Sequence, residues 1–67
     1  MKLRAHLPQG YVTYTGRTMR TWEVERYNRI QDDINAWIRD NRAVPEHLLN
    51  ESFETLQAAA LDNQPTP

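Results

Sequence analysis

Apolar and polar positions alternate at the front of the chain and then change period. Leu3, Ala5 and Leu7 alternate with Lys2, Arg4 and His6, the period of two that a half-buried strand requires. Pro8 and Gly10 follow, at the second and fourth places of a tight turn. Tyr11-Val12-Thr13-Tyr14-Thr15 is rich in β-formers. Gly16 offers another turn, after which Arg17-Thr18-Met19-Arg20 can return as a further strand. The pattern predicts a short β-hairpin over 1–20, with a three-stranded meander as its longer version. On it Tyr14 faces the core with Leu3, Leu7, Val12 and Met19, and Tyr11 faces outward, because successive strand residues point to opposite sides.

From Thr21 the period lengthens. Val24, Tyr27, Ile30, Ile34, Trp37 and Ile38 recur at spacings of three and four and fall within an arc of about 140°, the width of a core-facing helical stripe. Thr21 suits the N-cap and Glu23 the positive end of the helix dipole. Glu25 and Arg29 stand four apart on the solvent side in the favourable order. This first helix is expected over 21–41. Pro45 then fits the opening turn of a second helix, expected over 45–61. Its stripe is Leu49, Phe53, Leu56 and Ala60, flanked by Leu48, Ser52 and Ala59. The run Ala58-Ala59-Ala60 favours helix and lets a neighbouring backbone come close. The short link turns the helices back on each other.

The predicted fold class is therefore α+β: a short N-terminal β-hairpin packed on a C-terminal antiparallel two-helix hairpin. One small domain covers 1–61, and 62–67 reads as a disordered tail.

Composition narrows the setting. The chain has 67 residues and no cysteine, so neither a disulfide nor a thiolate zinc site can support its small core. The lack of cysteine fits a reducing compartment. No apolar run approaches the roughly 20 residues of a membrane span, and the start lacks the apolar stretch of a secretory signal. A cytoplasmic location is the expectation.

The net charge of −1 conceals a gradient. Lys2, Arg4, Arg17 and Arg20 stand in 1–20 without an acid, whereas Glu46, Glu51, Glu54 and Asp62 stand in 46–67 without a lysine or arginine. Such a layout either steers a partner or lets the ends of the chain attract each other.

Candidate chemistry is sparse. Ser52 is the only serine, and the histidines are His6 and His47. Nothing in their spacing suggests a nucleophile, a base and an orienting group brought within reach. His47, Glu51 and Glu54 share one side of the second helix. Any acidic helix face yields that spacing, so a solvated face is the simpler explanation than a metal site. Asp32 and Asp33 are adjacent and diverge on a helix. The chain's two glycines form neither a P-loop nor a dinucleotide fingerprint. No enzyme activity, cofactor or metal is expected.

Binding functions remain. Arg4, Arg17 and Arg20 with Tyr11 make a basic, aromatic surface that a nucleic acid could use, but so few charges release few counterions. The stretch Ala36-Trp37-Ile38-Arg39-Asp40-Asn41-Arg42-Ala43-Val44-Pro45 resembles the end of the recognition helix in excisionases. That family continues into a basic, glycine-bearing wing. Here Glu46-His47-Leu48-Leu49 continues as an acidic helix, so the resemblance is not adopted.

The expectation is a non-enzymatic protein–protein interaction module, a small regulator or inhibitor of a larger partner. By size alone it compares with phage-encoded regulators. Its expected contact surface is Tyr11, Arg17, Arg20, Trp22 and Arg26, the aromatic and arginine mix of interface hot spots. A nucleic-acid binder is the alternative, and a homodimer through Leu49, Phe53, Leu56 and Ala60 is a further possibility.

Overall fold

The computed structural model describes residues 2–62. Two helices carry the fold, α1 over Thr21–Arg39 and α2 over Glu46–Leu61. They run antiparallel. Val24 near the start of α1 packs with Ala59 near the end of α2, and Ile30 and Ile34 pack with Leu48. Met19, Leu7 and Tyr11 from the N-terminal segment complete the first cluster. Trp37, Ile38, Val44 and Leu49 flank the second.

Helix ends follow local chemistry. Arg20, not Thr21, is the N-cap of α1. Glu23 reaches back to accept the Arg20 backbone N–H at 2.7 Å, which satisfies one donor left free at the helix start. The other end closes in a Schellman motif. Asn41 takes the left-handed conformation with φ of 56°. Its N–H donates to Ile38 O at 3.0 Å, and that of Arg42 donates to Trp37 O at 3.0 Å. The Arg42 guanidinium lies 4.6 Å from the centre of the Trp37 ring, a cation–π contact where an apolar one usually seals the motif.

The sequence expectation fails in the N-terminal third. Among the described residues there is no strand, only an isolated antiparallel bridge between Val12 and Thr18. The α+β class with its hairpin or meander gives way to an all-α pair of helices crossed by an extended segment. Residues 2–7 do not keep the predicted alternation, since Leu3 and Ala5 are exposed and only Leu7 of the three is half-buried, and the backbone of Arg4 and Leu7 pairs with side chains of α1. Asn35 accepts the Arg4 N–H at 2.7 Å and donates to the Arg4 carbonyl at 2.8 Å. Asn28 does the same for Leu7, at 2.8 and 3.0 Å. The geometry suits this. Asn28 and Asn35 lie about 10 Å apart along the helix axis at 1.5 Å per residue, and Arg4 and Leu7 lie about 10 Å apart in extended chain. The two amides do what a neighbouring strand would do, so no sheet is needed.

The register in 11–15 is also the reverse of the expected one. Thr13 is buried and Tyr11 half-buried, while Val12 and Tyr14 are exposed, Tyr14 to 72%. A slip of one position exchanges every inward residue for an outward one. Leu3, expected in the core, is exposed as well. In the turns, Gly10 takes φ of 79° in a Pro8–Tyr11 reversal and Gly16 takes 89° in a Thr13–Gly16 reversal. Each conformation suits glycine.

The buried face of α2 is rotated from its apolar stripe. Leu48, Ser52, Ala59 and Ala60 are buried, whereas Phe53 is 67% exposed. The cause is a polar layer between the two apolar clusters. Ser52 donates to Gln31 Oε1 at 2.9 Å, and the Arg4 guanidinium donates to both, at 3.3 Å each. Gln31 and Ser52 are only 3% and 2% exposed, and pairing them removes the penalty of burying either alone.

The loop around Gly16 caps α2. The last turn of α2 has no basic residue of its own. The Arg17 guanidinium donates to Ala59 O and meets Asp62 at 3.0 Å, and the Thr15 hydroxyl donates to Ala60 O. A cation thus sits at the negative end of the helix dipole. Asp62, expected in the loose tail, is the left-handed C-cap and is held by Arg17. The rest of that tail, 63–67, lies outside the described residues. Arg17→Met is expected to lower stability by about 1–2 kcal/mol. A thermal melt, with hydrogen exchange at Leu61 and Asp62, measures it.

Candidate functional site

Among the described residues, none covers the flank of the helix pair opposite residues 4–7. On α1, Asn28, Gln31 and Asn35 face the segment, while Trp22 and Arg26 lie roughly half a turn round the helix at 100° per residue. They form one wall of a groove of about 460 Å³ with Arg20 and Glu23. Glu51, Glu54, Thr55 and Ala58 of α2 form the other wall, with Ala59 at the floor and Asp62 at the end. The groove exists because α2 presents small side chains there: Thr55, Ala58 and Ala59 leave room that a leucine would fill. Trp22 stays 56% exposed beside it.

Charge in the groove is mixed and partly spent. Arg20 lies 3.8 Å from the Glu23 carboxylate and 4.0 Å from that of Asp62. Among the described residues Arg26, Glu51 and Glu54 have no ion-pair partner. The lining holds the carboxylates of Glu23, Glu51, Glu54 and Asp62 against the guanidinium groups of Arg20 and Arg26, so it leans acidic.

The expected contact residues divide. Arg20, Trp22 and Arg26 come together at the groove. Tyr11 is half-buried against Met19, Val24 and Ala59, and Arg17 is engaged with the end of α2. For the nucleic-acid alternative, Arg4 points into the polar layer with Gln31 and Ser52. For the dimer, Ala60 is buried and Leu49 and Leu56 are half-buried in the two clusters, which leaves Phe53 as the one exposed member of those four. The remaining exposed polar pairs are Tyr14 with Gln57 at 3.2 Å and His6 with Asp32 at 2.6 Å.

The α2 wall of the groove was not expected as a contact surface. Its signal was the Ala58-Ala59-Ala60 run, which marks a close approach without saying by what. Among the described residues, no group of three histidine, aspartate or glutamate side chains is placed to hold a metal ion. No helix in them is long and apolar enough to cross a membrane. Comparison with protein-family models, with curated proteins and with solved structures gave no match.

Proposed function

We propose that this chain is a non-enzymatic binding module that regulates or inhibits a larger protein, and that it engages that protein through the groove between α1 and α2. The observation that carries this is the half-exposed Trp22 beside Arg20 and Arg26 above an alanine floor. A large aromatic left in water at the mouth of a cleft, with arginines around it, is the composition of an interface hot spot. The nucleic-acid alternative has less support. Arg4 and Arg17 are engaged inside the molecule, and the groove that holds Arg20 and Arg26 leans acidic.

Affinity capture from the native host tests the proposal. Trp22→Ala and Ala58→Trp change exposed positions of the groove, the first removing its aromatic and the second filling the cleft, and are each expected to reduce recovery of a specific protein by about tenfold or more. Undiminished recovery with both variants removes the groove as the contact surface.

A further inference from the structure

We propose that the occupant of the groove is a single amphipathic helix of the partner, about three turns long and carrying lysine or arginine beside its apolar stripe. This rests on the groove being the protein-binding surface and adds what kind of segment binds there.

The molecule itself shows what an extended chain needs in order to lie along α1. On the covered flank, Arg4 and Leu7 are held because the Asn35 and Asn28 amides each satisfy one backbone N–H and one backbone carbonyl. Such amides can donate and accept at once. The groove lining contains no asparagine or glutamine. An extended segment laid there would run its backbone over Trp22, Ala58 and Ala59 with Thr55 as the one hydroxyl, and no side-chain amide to pair an N–H and a carbonyl together as Asn28 and Asn35 do on the covered flank. A helix brings its backbone already paired and needs only side-chain contacts. A helix seated between two antiparallel helices also completes a three-helix arrangement, the usual way such a seam is covered.

Length and charge follow from the walls. From Glu51 to Asp62 the α2 wall rises about 16 Å, or about three helical turns. Small side chains at Thr55, Ala58 and Ala59 give space for leucine-sized knobs, and Trp22 forms the broad edge against which one of them packs. Glu51 and Glu54 have no cation within the described chain, and they stand where the flank of an incoming helix would pass. Complementarity therefore selects a basic flank and rejects an acidic one.

The test titrates the isotopically labelled full chain with three capped synthetic peptides of about fourteen residues, four helical turns. The first is a leucine–lysine amphipathic helix, the second has glutamate for every lysine, and the third is the lysine peptide with a central proline. NMR follows the Trp22 indole and the amides of Thr55 and Ala58.

The lysine helix is expected to shift these signals and to bind at least about tenfold more tightly than either other peptide. The double variant Glu51→Gln, Glu54→Gln is expected to weaken it several-fold while leaving the melting temperature unchanged. Equal binding of the proline peptide overturns the helical occupant. Equal binding of the glutamate peptide, or no loss in the double variant, overturns its basic flank. Shifts centred on Phe53 or Tyr14 overturn the location. If no peptide shifts the groove while Trp22→Ala still loses its captured protein, the helix proposal fails and the groove as a protein-binding surface stands.

Discussion

Ile34→Ala is expected to destabilise the protein by about 3–4 kcal/mol, the range for truncating a fully buried isoleucine that leaves a cavity. Ile34 has no exposed surface and joins Ile30 and Leu48 in the apolar cluster at the far end of the helix pair. Small domains are stable by roughly 0.05–0.15 kcal/mol per residue, so a loss of this size removes a third or more of what holds the chain folded. The informative control is Phe53→Ala. An apolar count along α2 puts Phe53 in the seam, whereas the structure leaves it 67% exposed, and its truncation is expected to change stability by less than about 0.5 kcal/mol. Urea denaturation of the two variants side by side shows whether Phe53 of α2 belongs to the buried seam. A larger loss for Phe53 than for Ile34 would contradict the observed rotation.

Asn35→Ala and Asn28→Ala are each expected to cost about 2 kcal/mol, since each removes two hydrogen bonds to the extended segment at about 1 kcal/mol apiece and leaves its backbone groups unpaired. The double variant should lose less than the sum, because releasing one end of the segment already weakens the other. Stability alone does not separate this from general damage, so the readout is local. Amide exchange at Arg4 and Leu7 should rise far more than at Val24 or Ile34. Uniform acceleration throughout the chain would show that the amides act on the helices and not on the segment.

These two predictions mark what was legible in the sequence. In α1 the spacing of Val24, Ile30 and Ile34 is the spacing of the buried face, because an apolar side chain at every third or fourth position has few alternatives to burial. In α2 the same logic misplaces the seam. Ser52 is the polar residue that is buried and Phe53 the aromatic that is not, and only Gln31 and Arg4, distant in sequence, explain why. The front of the chain misleads for a related reason. Alternation over Leu3–Leu7 points to leucines turned inward, but Leu3 and Ala5 are exposed while Arg4 reaches the polar layer, and the pattern does not say what pairs with the backbone. The partner here is a pair of asparagines seven positions apart in the middle of a helix, where asparagine is otherwise a poor choice. Read as a spacing and not as two solvated residues, Asn28 and Asn35 were the available sign. For the contact surface, Trp22 was legible as an aromatic lying off the apolar arc. The wall it faces was not, because Glu51, Thr55 and Ala58 become neighbours of Trp22 only after the chain has turned back at Asn41.

Thr15 and Arg17 close the last carbonyls of α2 and hold Asp62, and this sets an order of events during synthesis. A ribosome makes the capping loop well before the helix that it caps. Until residues 59–62 have left the exit tunnel, the loop has nothing to bind and the polar layer around Ser52 lacks one of its members. The capping loop is therefore made before the turn of α2 that it closes, whereas Arg4 and Leu7 have their partners Asn35 and Asn28 in α1. An interruption of translation before Ala59 would leave Thr15 and Arg17 without the carbonyls they cap.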